Sequence, residues 1–548
     1  MKKLQTVFLM IFIFLLISCE PMKEKTDLII YNAKVYIIDQ DFSTATVVIV
    51  DNGKVMEAGD ESLLERFVAD EMLDAGGMYV YPGFYDAHCH FLSYGLGKLQ
   101  RADLAGTDSF SDVLERVVAH AGLNDAEWLQ GRGWDQNDWE VKDFPNRIEL
   151  DKLFPDRPVV LTRIDGHAAL VNGEALRRAG ITAETSVVGG EIKLENGQPS
   201  GILIDNAIEL VSELIPENNA SLTSAALLKA QEDCFSVGLT SVMDAGLPVK
   251  EIKLIDSLHQ SGSLKIKINA MLSPSDTNYL DFMGQGEYKT DRLHVNSVKL
   301  YADGALGSRG ACMIEPYSDD PGNHGLIMYP EAYYRKVIEA AYENNYQVNT
   351  HAIGDSGNRY ILGLYAEYLK GPNDRRWRIE HAQIVHPDDF AKFGEFNIIP
   401  SIQSTHCTSD MYWADERVGS ERIKGAYAWQ KLLVQNGWLP NGTDFPIEHI
   451  SPLLTFYASV SRQDLAGYPE GGFQAEDALS REEALRSITI WAAKGSFEEN
   501  EKGSLEKGKA ADIVILDKDM MTIPAEEIPD IHVLYTFVNG ELVYHPEK

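Results

Sequence analysis

Short apolar, β-branched runs alternate along most of this chain with longer stretches of helical periodicity, the pattern of βα units feeding a parallel sheet. Nine runs read as strands: 79–88, 158–163, 240–243, 266–272, 295–301, 347–351, 378–381, 397–402 and 437–442. A (β/α)8 barrel needs eight, so one of the nine belongs to an insertion or extends a neighbour. The two chain ends differ from the middle. From Asp27 the chain reads Leu-Ile-Ile-Tyr-Asn-Ala-Lys-Val-Tyr-Ile-Ile, and a second β-rich run at 46–56 turns at Asn52-Gly53. Runs at 511–516 and 533–543 echo this, with Asn539-Gly540 as the turn. Neither end alone covers both faces of a sheet, so 27–80 and 500–548 are expected to build one composite β-sandwich domain. The predicted fold class is α/β: a (β/α)8 barrel over 81–499 plus that small β-sandwich. Residues from about 92 to 220 are too long for one loop and too rich in turns for one helix, and are expected to form an insertion over the barrel mouth. Ser480 and Glu483 read as a capping box opening a helix that Gly495 ends.

The length of 548 residues and 44% hydrophobic content suit a large globular enzyme. A formal net charge of -34, from 49 basic and 83 acidic residues, argues against nucleic acid or an anionic membrane surface as partner. The N-terminus adds a different kind of membrane association. Lys2-Lys3, an apolar run from Val7 through Ile17 and then Ser18-Cys19 read as an export signal over 1–18, too short for a spanning helix. Leu16-Ile-Ser-Cys19 resembles a bacterial lipobox. Cys19 is then the lipidated residue, 19–26 a tether, and the protein an exported, membrane-anchored lipoprotein facing the periplasm or the cell surface; plain cleavage and release is the alternative. Cys89, Cys234, Cys312 and Cys407 are scattered, which suggests neither a disulfide framework nor a structural zinc site. Cys89 lies between two histidines, but strand alternation turns it to the opposite face.

Those histidines carry the chemistry. His88 and His90 end the first barrel run, and side chains at i and i+2 of a strand share a face. His-x-His alone is weak, because two strand histidines are often only polar surface. The signal gains force from Lys299, His351, His381 and Asp444, each near the end of a later strand-like run and followed by glycine, proline or polar residues. Parallel barrels place functional residues at those ends.

This ordered set resembles the amidohydrolase superfamily of metal-dependent hydrolases, and in particular its branch similar to N-substituted formamide deformylases. The resemblance covers nearly the whole mature chain, and residues 299–309, Lys-Leu-Tyr-Ala-Asp-Gly-Ala-Leu-Gly-Ser-Arg, are its most specific phrase. It implies a divalent metal cofactor, zinc by ligand type, with one or two ions per chain. His88, His90 and Asp444 would hold one ion; His351 and His381 would hold a second, bridged by Lys299 as a carbamate. The alternative for Lys299 is an ordinary ion pair with Asp303 or Asp444. Asp444 would also be the catalytic proton shuttle.

Substrate contacts are expected from loops over the same end. Trp134, Arg163 and His167 in the insertion, Ser308 and Arg309 after Lys299, and His324 and His406 are candidates; for each the alternative is packing, exposure or an ion pair. The implied activity is hydrolysis of a non-peptide C–N bond in a small amide or formamide-like molecule. Hydrolysis of an ester or lactone, deamination, or a lipid-anchored solute-binding role on the same barrel are the rival readings. Substrate and oligomeric state are not legible.

Overall fold

The computed structural model describes residues 23–123 and 126–546, so the export signal and Cys19 lie outside the described residues. Seven parallel strands pair in sequence order: β1 (Phe84–Cys89), β2 (Leu239–Leu247), β3 (Lys267–Leu272), β4 (Leu293–Tyr301), β5 (Gln347–Ala352), β6 (Arg378–His381) and β7 (Ile399–Ser401). Residues 437–444 take the eighth position without forming a ladder. Ile402 donates to Pro440 O and Gly442 donates to Ile402 O, both at 3.0 Å. On the other side Ala87 donates to Asn441 O at 3.3 Å and Asp444 to His88 O at 2.7 Å, which closes the barrel. Pro440 has no N–H to give a regular strand there, and the Asn441 side chain is committed to Ser404, Ser459 and Ser487.

The ninth predicted strand belongs to the insertion. Val159–Arg163 sits in a separate six-stranded mixed sheet built from residues 102–205. The helices on either side of that insertion, Phe91–Gln100 and Ala220–Ser236, pack on each other. Their close approach depends on Gly95, where a Cβ would fall 2.0 Å from Ala226 O.

The run predicted as one strand at 79–88 serves two sheets. Tyr79–Pro82 pairs antiparallel with Ile513–Leu516 and parallel with Lys34–Tyr36, in a six-stranded sheet that joins both chain ends. The chain jogs at Gly83, where a Cβ would lie 2.4 Å from the Thr240 side chain, and continues as β1. A four-stranded sheet from 24–74 shares an apolar layer with it, through Leu28, Val48, Val80, Ile513 and Phe537. Its first strand begins at Glu24, inside the stretch read as a tether, because Glu24–Thr26 find backbone partners along Phe67–Ala69 whatever their side-chain polarity. The helix expected after Ser480 has its capping box but breaks after Ser487. There Ser487 O accepts from Asn441 and Ile488 O from Tyr85, so carbonyls a continuous helix would use are turned toward the barrel.

Candidate active site

Six side chains from five strand ends converge at one mouth of the barrel. His88 lies on β1 and His90 is the residue on which the following helix begins. Their Nε2 atoms approach Asp444 Oδ1 to 3.5 and 3.3 Å. His381 packs its ring edge-on against His88 and His351, at centroid separations of 5.2 and 4.5 Å. Lys299, on β4, places Nζ 3.1 Å from His88 Nε2 and 4.7 Å from the centre of the Tyr301 ring. His381 and Asp444 hold φ of 72° and 62°, a left-handed backbone disfavoured for both residue types and found where function demands a side-chain direction.

Electrostatics leave this cluster rich in lone pairs. Burial, then His167 for His351 and His351 for His381, with Lys299 adding to both, hold the two well below the usual imidazole range, so both are neutral at pH 7. Burial and the Lys299 charge bring His88 down to about 4, against the pull of Glu380. Its Nδ1–H therefore donates to Glu380, which fixes the tautomer and turns Nε2 inward as an acceptor. Burial opposes a charge on Asp444, but the hydrogen bond from His406 and the nearby His90 and His88 rings hold its carboxyl well below the usual range, so it stays ionised. Its Oδ1 and the Nδ1 of His381 are buried without a hydrogen-bond partner.

That donor set fits a divalent cation. One ligand atom each from His88, His381 and Asp444 lie within 4.8 Å of one another. Imidazole and carboxylate ligands suit zinc and similar ions. The compact group draws on His381 rather than His90, which differs from the sequence pairing of His90 with His88 and Asp444. Lys299 forms no ion pair with Asp303 or Asp444 among the described residues. Asp303 instead accepts backbone N–H bonds from Cys312, Ile353 and Gly354 and ties the loop after β4 to the end of β5.

The cavity over the cluster, about 270 Å³, is lined by Arg163, His167 and His406 among the expected substrate contacts. Each nitrogen of Arg163 is engaged once: Nε binds Gln136, and the two terminal nitrogens bind Asp165 and Asp135, so its charge is already paired. His167 is oriented by Asp205 at 2.7 Å and tilts over His351. His406 bridges Asp444 Oδ2 at 3.3 Å and Glu448 at 3.0 Å, so both ring nitrogens are engaged and neither is left to serve as an oxyanion donor. The other candidates do not reach the cavity. Trp134 is 1% exposed in the insertion core, its indole N–H on Leu161 O. Ser308 Oγ turns back to Ala305 O, Arg309 pairs with Asp319 and His324 contacts Met313 O.

Sequence reasoning missed the supports behind the ligands. Glu380 is fully buried between His88 and Arg378, whose Nε and Nη2 donate to it at 2.6 and 2.7 Å. Asp86 accepts from the His88 N–H at 3.0 Å and the Thr443 hydroxyl at 2.7 Å, joining the strand of His88 to the loop of Asp444. The signal available was Arg378-Ile-Glu380, opposite charges two apart within a buried strand.

A strained, metal-fitting histidine and carboxylate cluster at the C-terminal end of a (β/α)8 barrel defines a hydrolase class, and comparison with known proteins agrees. A family model described as the amidohydrolase family matches residues 71–544, and the chain belongs to that family. It is an enzyme, a metal-dependent amidohydrolase. The chain is 33% identical to the Arabidopsis thaliana protein LONG AFTER FAR-RED 3, covering 94% of this chain and 91% of that one. It is 27% identical to an N-substituted formamide deformylase of Arthrobacter pascens, covering 95% and 99%. Among solved structures it resembles an uncharacterized metal-dependent hydrolase of Pyrococcus horikoshii, with a TM-score of 0.75 and 28% identity over 91% of this chain and 99% of that one.

Proposed function

We propose that this enzyme hydrolyses a non-peptide C–N bond in a small amide or formamide-like substrate. The observation that carries the reading is the compact group of donor atoms from His88, His381 and Asp444, within 4.8 Å of one another under a cavity of small-molecule size. Similarity to the formamide deformylase over nearly the full length of both chains supports the bond type. A bound divalent ion supplies Lewis acidity and lowers the pKa of water from 15.7 to about 7.

The chain's own residues do the rest. Asp444 Oδ1 takes the proton of the attacking water and returns it to the departing nitrogen. His406 holds the opposite oxygen of that carboxylate. Burial opposes a charge on His406, yet its hydrogen bonds to Asp444 and Glu448 keep it protonated well above the usual range. It thus offsets the negative charge around Asp444 and fixes which oxygen faces the ligands. Burial brings the Lys299 ammonium down to about 8, which leaves some neutral amine at pH 7 able to add carbon dioxide and lose a proton as a carbamate.

The test is turnover across N-formyl compounds, N-acyl amino acids and cyclic ureides by purified enzyme, before and after a chelator, with zinc returned afterwards. Hydrolysis of a C–N substrate that chelation abolishes and zinc restores is the expected result. Turnover confined to esters or lactones would overturn the bond assignment.

A further inference from the structure

Beside the main cavity lies a second pocket of about 360 Å³, which shares Ile164, Ile447 and Glu448 with it as a common wall. Two arginines line it from different parts of the fold. Arg101 ends the helix that follows β1, and Arg132 comes from the insertion strand Leu129–Trp134. Four fully or largely buried arginines here have their groups taken up by oxygens: Arg163 pairs with Asp135 and Asp165, Arg378 with Glu380 and Arg417 with Asp319, while Arg462 donates to the carbonyls of Phe473 and Tyr427. Among the described residues Arg101 and Arg132 have no carboxylate partner, in a chain with 83 acidic side chains to offer.

Arg132 spends one donor on Ile164 O at 3.0 Å, and its Nε is buried with no partner. The guanidinium lies against Gly166, where a Cβ would stand 3.4 Å from Nη2. No hydrogen bond of the Arg101 side chain is present among the described residues. Burial, with the Arg132 charge added, lowers Arg101 to about 10. The acids on this pocket are already engaged: Glu448 accepts from His406 and Ser409, and Asp103 from the Ala105 N–H. Both side chains are half-buried, and a guanidinium withdrawn from water with donors unpaired is costly unless an anion completes it.

We propose that Arg101 and Arg132 bind an anionic oxygen group carried by the substrate, a carboxylate or a phosphonate-like group. The planar guanidinium fork matches such groups bidentately, and the shared lining of Ile164, Ile447 and Glu448 sets this pocket directly beside the cavity over the histidine cluster. This inference rests on the amide-hydrolase reading and narrows it to anionic amides.

The test uses metal-loaded enzyme and N-formyl alkylamines of one chain length ending in a carboxylate, a phosphonate or a neutral primary amide. Wild type should favour an anionic member over the amide by at least about tenfold in kcat/KM, the scale of a charged hydrogen bond. That ratio should fall toward one in Arg101→Gln and in Arg132→Gln, while Arg132→Lys keeps part of it. The carboxylate-to-phosphonate ratio tells which group the site takes. Absence of the preference in wild type, or its survival in both glutamine variants, overturns the proposal. Should no formamide be cleaved, calorimetric binding of phenylacetate against phenylacetamide decides separately. A preference lost in Arg101→Gln at unchanged metal content supports the site and sinks only the formamide reading. An unchanged preference places the carboxylate elsewhere and overturns the site.

Discussion

Replacing Glu380 with glutamine keeps the shape of a side chain that has no solvent exposure but removes the charge that holds two neighbours. The carboxylate accepts from Arg378 Nε and Nη2 and from His88 Nδ1. A glutamine amide has one acceptor oxygen, so its NH2 would face a donor from either Arg378 or His88. Ala87 O at 2.8 Å and the Ser401 hydroxyl at 3.1 Å remain for Arg378, but neither carries charge. Breaking a buried pair from one side costs about 3–5 kcal/mol. The barrel's unfolding entropy, at about 2 cal/mol/K per residue, converts this to a fall of roughly 4–6 °C in apparent Tm. The second effect is on metal. Losing the acceptor frees the His88 tautomer, and such outer partners are worth about 10–100-fold in metal affinity. Thermal unfolding of metal-stripped protein isolates the first effect, and zinc titration against a chelating buffer isolates the second. A variant within 1 °C of wild type and of equal zinc affinity would refute both the buried-pair argument and the orienting role of Glu380.

If Lys299 carries a bridging carbamate, Lys299→Ala should lose metal and activity together, with partial return of both in acetate or propionate, because a small carboxylate would occupy the vacated space; full metal content without added acid would remove the bridging role. Glu498→Gln tests a buried ion pair far from the chemistry. Burial opposes the charge of Glu498, but Lys502 at 3.0 Å and His294 hold its carboxyl well below the ordinary range. A depressed folded pKa stabilises above the unfolded value of about 4.3 and is lost as pH falls below it. Wild type should therefore be the more stable at pH 7, and the gap in Tm should shrink steadily below about pH 4; a gap independent of pH would show that the carboxylate charge is not the cause.

The barrel was legible because its strands are apolar runs bounded by polar turns, a pattern that survives whatever the loops do. Where the sequence misled, backbone groups took partners that periodicity does not encode. The stretch 437–442 closes the barrel through four backbone bonds although Pro440 and a side-chain-committed Asn441 keep it from being a strand. The run through Pro82-Gly83 reads as one strand and serves two sheets, since the jog depends on Thr240, more than 150 residues away. Glu24–Thr26 are polar and still pair, because a ladder needs main-chain donors and acceptors rather than apolar side chains.

For the site, the residues that converge at the barrel mouth were legible from their places at strand ends, while their mutual distances were not. His88, His381 and Asp444 form the compact triad, while His90 reaches Asp444 Oδ1 at 3.3 Å, so His90 and His381 both stand beside the carboxylate, and the left-handed backbone at His381 is a feature that strand alternation does not encode. The insertion shows the same limit from the other side. Trp134 and Arg163 both looked available for substrate, yet Trp134 fills the insertion core and Arg163 is consumed by two aspartates. Arg132, two residues before Trp134 on the same strand, does not share its face, because the register against Val159–Arg163 shifts between them, and it keeps an unsatisfied Nε. What separates the three is the inventory of partners, which is a property of the folded chain. The barrel thus supplies a cluster of donor atoms backed by buried acids, and the insertion with the helix before it supplies walls on which Arg132 and Arg101 face the second pocket. Specificity in this enzyme should therefore shift through substitutions at Arg101 and Arg132 that leave the histidine cluster and its buried supports untouched.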